Sequence, residues 1–167
     1  MDPHVELLRT LFLTHPAWRA ASDHLKEGSS SRVLFSHVPG EYQLVRRGNQ
    51  NLLLEGKASD PDLAFRFTPK SIERLSRVQG REIADFGVEL LECAASEDPE
   101  IQVRMLVIAG FTKLLLRGYA GLLLKAGPRV LRGSGKGGAS IADVRKMFSA
   151  LRDDSGWVED SRRAARA

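Results

Sequence analysis

The chain has 167 residues, of which 43% are hydrophobic and 28% charged, so its composition excludes a disordered chain and favours one globular domain. The formal net charge is a modest +4, and the single cysteine, Cys93, excludes an intramolecular disulfide. The first residues lack the basic and apolar regions of a signal peptide. Together with the lone cysteine, this predicts a cytoplasmic protein.

Two helices are predicted in the N-terminal segment, residues 1–31. Apolar residues recur at helical spacing over 5–14. Pro16 ends that helix and suits the first position of the next one. Gly28 and the serines at 29–31 then end the second helix.

Four short strands are predicted next, over residues 32–38, 41–47, 51–55 and 63–67, where apolar side chains alternate. Gly48 and Asn49 separate the second and third strands and tolerate positive φ, which favours a hairpin turn. Four strands in succession with tight turns predict an antiparallel meander.

Two further helices follow the strands. Thr68 is predicted to cap the first, and Pro69 to be its first residue. The second runs over residues 81–95, where apolar residues recur at intervals of three and four. Cys93 lies on this apolar face, so we expect a small buried side chain rather than a reactive thiol.

Residues 101–127 form the most apolar segment of the chain. Residues 102–108 alternate as a strand, with Val103, Met105 and Val107 on one face, and residues 111–127 predict one helix. The apolar arc of this helix is wider than the ~100° stripe of a surface helix. Such a helix is a core helix, the wall of an apolar cavity or a helix lying on a membrane. Its three cations exclude a membrane span, which needs ~20 apolar residues.

Positive charge is concentrated beside this apolar segment. Residues 99–136 hold seven cations and one anion, an excess of +6. An anionic lipid surface, a nucleic acid or a solvated rim would each suit this charge. Few aromatic residues accompany the cations, so nucleic acid is not expected as a partner.

The C-terminal part is predicted in three pieces. Residues 128–139 are rich in glycine and cations and are interpreted as a linker. Residues 140–153 predict a helix capped by Ser140. Residues 154–167 are expected to be a mobile tail.

The motifs expected of catalysis or cofactor binding are missing. No two of the four histidines have metal-binding spacing, so no metal is predicted. The glycine-rich stretch at 133–138 lacks the GxxxxGK[ST] pattern of a phosphate loop, and no GxSxG motif occurs. We therefore predict a protein that is not an enzyme and has no cofactor.

The order of elements and two sequence motifs resemble the sterol carrier protein type-2 domain. The resemblance covers residues 32–127 and includes DLAFRFTPKSIERL at 62–75 and the Phe86-Gly87 pair. It implies an α+β domain whose five-stranded, mostly antiparallel sheet is covered on one side by helices, here with extra N-terminal and C-terminal helices. It also implies an apolar tunnel that holds a lipid, a fatty acyl chain or a sterol-like molecule without catalysis. The chain departs from the family where residues 88–95 look helical and a loop follows.

Large apolar side chains on the sheet and helices are the predicted ligand-binding residues. Tyr119 is the predicted polar contact among them. The full set is Phe65, Phe67, Ile72, Leu75, Phe86, Leu90, Met105, Phe111, Leu115, Tyr119 and Leu122. Lys113, Arg117 and Lys125 are predicted to contact anionic head groups during transient membrane binding. The alternative is an interaction module with a filled core, which would dock against a partner or form a homodimer.

Overall fold

The structure is a computed structural model that describes residues 1–131, 140–152 and 157. Its strands are β1 Ser30–Phe35, β2 Tyr42–Arg47, β3 Gln50–Glu55, β4 Leu63–Phe67 and β5 Arg104–Val107. Its helices are α1 Pro3–Thr14, α2 Pro16–Ser22, α3 Pro69–Ser76, α4 Ile83–Ala95, α5 Phe111–Leu116, α6 Tyr119–Ala126, α7 Pro128–Leu131 and α8 Ile141–Ala150. The α+β class is confirmed. Most of the predicted linker (132–139) and, apart from Trp157, the predicted tail lie outside the described residues.

The five strands form one mixed sheet in the order β3-β2-β1-β4-β5. The β1–β4 pair is parallel, and the other three pairs are antiparallel. The predicted four-stranded meander is therefore wrong for β4, which pairs with β1 rather than β3. Residues 56–62 are long enough to cross the sheet, and the Asp62 N–H donates to the Ser30 carbonyl at the start of β1. This backbone bond places the start of β4 beside that of β1.

The predicted hairpin between β2 and β3 is confirmed. Arg47 pairs with Gln50, which leaves Gly48 and Asn49 as a two-residue turn. Gly48 has a φ of +56°, whereas Asn49 has negative φ, so only the first turn residue needs the left-handed region. Positive φ at the first turn position is typical of the type II′ hairpin.

The N-terminal helices belong to the main core. Val5, Leu8 and Phe12 of α1 are buried in the same cluster as Val33 of β1 and Phe65 of β4. The apolar face predicted for residues 5–14 therefore packs against the sheet. Residues 1–31 are part of the same packed unit as the sheet.

The apolar helix predicted over 111–127 is broken into α5 and α6. Gly118 lies between them with a φ of +89°, in the left-handed region that favours glycine. The loop after α2 approaches this break closely, and the Lys26 N–H donates to the Arg117 carbonyl at 3.0 Å. Only glycine fits at this break, because a Cβ at position 118 would lie 1.8 Å from the His24 carbonyl oxygen.

The C-terminal part packs against the rest of the domain through α7 and α8. Residues 128–131, predicted as linker, form α7 instead, and its Val130 is buried. The predicted Ser140 cap of α8 is confirmed, and the Val107 N–H of β5 donates to the Leu151 carbonyl at 2.8 Å. Within the described ranges, no helix has the length and apolar character needed to cross a bilayer.

Gly118→Ala is expected to destabilise the protein by more than about 1 kcal/mol, because it combines positive φ with a backbone clash. Gly121→Ala is the control. Its added Cβ would meet only an ordinary contact at 3.6 Å from His24 Nδ1, and alanine favours the helix by up to about 1 kcal/mol. Urea unfolding of both variants measures the difference. Equal stability of the two variants would contradict the close approach at Gly118.

Candidate functional site

An apolar cavity of about 130 Å³ lies between the sheet and helices α2, α4, α6 and α8. All five strands contribute lining residues, and most of the side chains are aliphatic or aromatic. The lining residues outside the predicted ligand-binding set are Trp18, Ala21, Leu25, Ser29, Ser31, Leu44, Arg46, Asn51, Leu63, Ala64, Ile83, Gly87, Leu91, Leu106, Val107, Leu123, Ala126, Val130, Met147, Phe148 and Leu151.

Part of the predicted ligand-binding set lines this cavity. These residues are Phe65, Phe86, Leu90, Met105, Tyr119 and Leu122. They come from β4, β5, α4 and α6, so the structure brings together elements that are far apart in sequence. Their role in binding a ligand stays a prediction.

The other predicted residues lie away from the cavity. Phe67, Ile72 and Leu75 are packed in the main core under α1 and α3. Phe111 packs against Phe148 with ring centroids 6.2 Å apart, and Leu115 is exposed on α5. The break at Gly118 explains the last two, because it separates the face of α5 from the face of α6.

The three cations predicted to contact head groups differ in whether they already contact other residues of the chain. Lys113 Nζ is 2.7 Å from Asp60 Oδ1 and 3.1 Å from Asp62 Oδ1. Arg117 donates to the Gly28 carbonyl and lies 3.8 Å from Asp60 Oδ2. Lys125 is exposed and forms no ion pair with a described residue. Head-group binding by Lys113 or Arg117 would therefore compete with internal contacts.

Asp62 is a fully buried carboxylate beside the cavity. Besides the Lys113 ammonium, it accepts hydrogen bonds from the Ser30 N–H at 3.1 Å and the Tyr119 hydroxyl at 3.2 Å. Burial, followed by the charge of Asp62, raises the pKa of Tyr119, so its hydroxyl stays protonated as a donor. The hydrogen bond to Asp60 raises the pKa of Lys113 and keeps it charged. Tyr119, predicted to contact a ligand, thus directs its hydroxyl toward Asp62.

A row of polar residues crosses the sheet at one end of the cavity. Asn51 of β3 lies directly opposite Arg46 of β2, and the Arg46 N–H donates to the carbonyl of Ser29, which precedes β1. All three residues line the cavity and are buried. The sequence did not predict them as site residues. The alternation of the strand could have identified Arg46, because it lies two residues after Leu44 and so on the same inward face.

Asp2, His4 and His37 form a cluster whose ligand atoms lie within 4.8 Å of one another. The spacing of the sequence could not show it, because the fold brings His37 to the start of α1. These groups already have partners: Asp2 caps α1, His37 Nε2 lies 3.1 Å from Asp2, and His4 Nε2 lies 3.2 Å from Glu73. The cluster is sufficiently explained by these hydrogen bonds.

Cys93 is fully buried on α4, in the main core. Burial raises the pKa of its thiol, which keeps it protonated and unreactive. It packs as a small apolar side chain.

Comparisons with known proteins identify a similar fold among solved structures. No protein family matches the chain, and no curated protein matches it by sequence. Among solved structures, it is similar to a UbiJ-SCP2 ubiquinone synthesis protein, with 19% identity, a TM-score of 0.41, and coverage of 70% of this chain and 82% of that one. At this identity and TM-score, function is inferred from the cavity of this chain alone.

Lys113→Met is expected to destabilise the protein by about 3 kcal/mol, because it leaves the carboxylate of Asp62 buried without its cation. Adding Asp62→Asn to Lys113→Met should recover part of that loss. Lys125→Met is the control and should change the free energy of unfolding by less than about 0.5 kcal/mol. Chemical denaturation measures all three, and equal effects of the two lysine variants would contradict a buried ion pair.

Proposed function

We propose that the protein binds a lipid, fatty acyl or sterol-like molecule in this cavity, without catalysis, for carriage or transfer. The cavity itself is the observation that supports the proposal. Cores normally pack to the density of organic crystals, and voids larger than a water molecule are few. An apolar space of about 130 Å³ is therefore unusual and suits an apolar guest.

The size of the cavity limits what it encloses. An engineered apolar cavity of about 150 Å³ in another protein stays dry and binds benzene. The present cavity is close to that size and would hold one ring or a short length of acyl chain. A complete lipid is larger, so the proposal places only one end of the ligand in the cavity as described.

The expected affinity follows from the number of carbon atoms that the cavity can hold. Burying about six carbon atoms at ~0.8 kcal/mol each contributes about 5 kcal/mol. This corresponds to a dissociation constant of roughly 0.2 mM before ordering costs are subtracted. Longer ligands bind more tightly only if the cavity expands or the chain continues along an apolar surface.

A surface for transient membrane contact is proposed on α5. Leu116 is 74% exposed and Leu115 lies beside it, while Lys125 of α6 is exposed and without an ion pair among the described residues. Exposed leucines with a nearby cation suit an anionic bilayer. The alternative of an interaction module requires a filled core, and the cavity argues against it.

Leu122→Trp should abolish ligand binding, because the larger ring occupies the space that the guest would fill. The wild type should gain about 2.7 kcal/mol of stability at a 1-hexanol concentration one hundred times the dissociation constant, and Leu122→Trp should gain much less. Leu116→Trp adds the same ring on an exposed site and should behave like the wild type.

Native mass spectrometry of the purified protein would complement this measurement by detecting retained lipid. If the wild type carries no lipid and gains no stability from 1-hexanol, the proposed function is wrong. Concentration-dependent dimerisation in the same experiment would instead favour the interaction module.

A further inference from the structure

The polar row at one end of the cavity contains an arginine in an unusual position. Arg46 is only 6% exposed and is the one charged side chain among the described residues that line the cavity. Transferring a charged group out of water is unfavourable unless the group is paired. A buried arginine beside an apolar space is therefore stabilised by an anionic partner.

The internal partner of Arg46 is a poor one. Its closest carboxylate is that of Asp23, with Arg46 Nη2 3.7 Å from Oδ1, beyond hydrogen-bond length. The side chain of Asp23 is 76% exposed, and ion pairs with exposed carboxylates contribute little to stability. An incoming anion could replace this contact at small cost.

Asn51 supplies a second unused donor. It is 4% exposed, lies directly across from Arg46 in the β2–β3 ladder and lines the same cavity. Its side-chain amide makes no hydrogen bond within the part of the chain that the structure describes. Cross-strand neighbours on one face have Cβ atoms about 5 Å apart, so one small group can contact both side chains.

We propose that Arg46 and Asn51 bind the carboxylate of a fatty acid whose hydrocarbon chain enters the cavity. This assignment rests on the proposed function and specifies its ligand class. A guanidinium is a planar fork that matches the two oxygens of a carboxylate, and charge-assisted hydrogen bonds of this kind are among the stronger ones. One cation balances the single charge of a carboxylate, whereas a phosphate monoester would bring close to two charges. The apolar walls beside Arg46 accommodate the chain that a carboxylate head carries.

The polarity of the site also orients the ligand. The carboxylate lies at the end formed by β2 and β3, and the chain points toward Phe65, Met105 and Leu122. The exposure of Asp23 places the guanidinium between the cavity and solvent, so the head group enters last. A molecule of the same length with a neutral head fills the cavity without using Arg46.

Nuclear magnetic resonance titrations with hexanoate and 1-hexanol at neutral pH test the assignment. In Arg46→Met the affinity for hexanoate should fall about tenfold or more, while that for 1-hexanol changes little. Arg47→Met makes the same charge change at an exposed neighbouring position and should leave both affinities unaltered.

Asn51→Asp provides a second variant that keeps Arg46 in place. The new carboxylate would pair with the guanidinium and repel hexanoate, so hexanoate binding should be lost and 1-hexanol binding retained. Asn49→Asp, in the exposed hairpin turn, is its control.

The outcomes separate the two proposals. If 1-hexanol binds the wild type, but Arg46→Met and Asn51→Asp weaken both ligands equally or neither, the carboxylate site is overturned and the apolar cavity stands. If the wild type binds neither ligand, the proposed function fails and the assignment fails with it.

Discussion

The position of Asp62 connects the start of β1, the end of β5 and helices α5 and α6. Its N–H donates to Ser30 at the start of β1, and its carbonyl accepts from Ile108 and Ala109 after β5. Its buried carboxylate contacts Lys113 of α5 and Tyr119 of α6. These partners offset the cost of removing the charge from water, so the residue helps to hold β4 between β1 and β5 and the two helices against that end of the sheet.

The cavity follows from the way the helices meet this frame. The break at Gly118 directs α6 toward the sheet while α5 remains at the surface, so Leu122 lines the cavity whereas Leu116 is exposed. Trp18 of α2, Phe86 of α4 and Phe148 of α8 contribute aromatic side chains from three further directions. Rigid side chains from separate helices fill the centre incompletely, which leaves a space of ring size at the sheet.

Some basic residues of this protein form internal ion pairs, whereas another, Arg46, lines the candidate site. Some of the basic residues in or near the apolar segment form ion pairs within the protein: Lys113 pairs with Asp60 and Asp62, and Arg129 lies 3.4 Å from Asp85. Arg46 differs from them because it is buried, lines an apolar space and has only a distant carboxylate. Head-group binding by Lys113 would therefore compete with its ion pairs, whereas an anion at Arg46 would displace only one long contact.

Short-range patterns in the sequence were enough to predict the local elements. The capping residues Thr68 and Ser140, the Gly48-Asn49 turn and the alternation of β4 act over a few residues, so they could be identified without the fold. Such patterns also identified the apolar segments of β4, α4, β5 and α6, and with them six residues that line the cavity. The tertiary structure alone decided the parallel pairing of β1 with β4, the break at Gly118 and the burial of Arg46 opposite Asn51. Each of these features depends on contacts between residues that are far apart in sequence. Strand order, the close approach of His24 to Gly118 and the burial of Arg46 therefore cannot be predicted from the residues on either side.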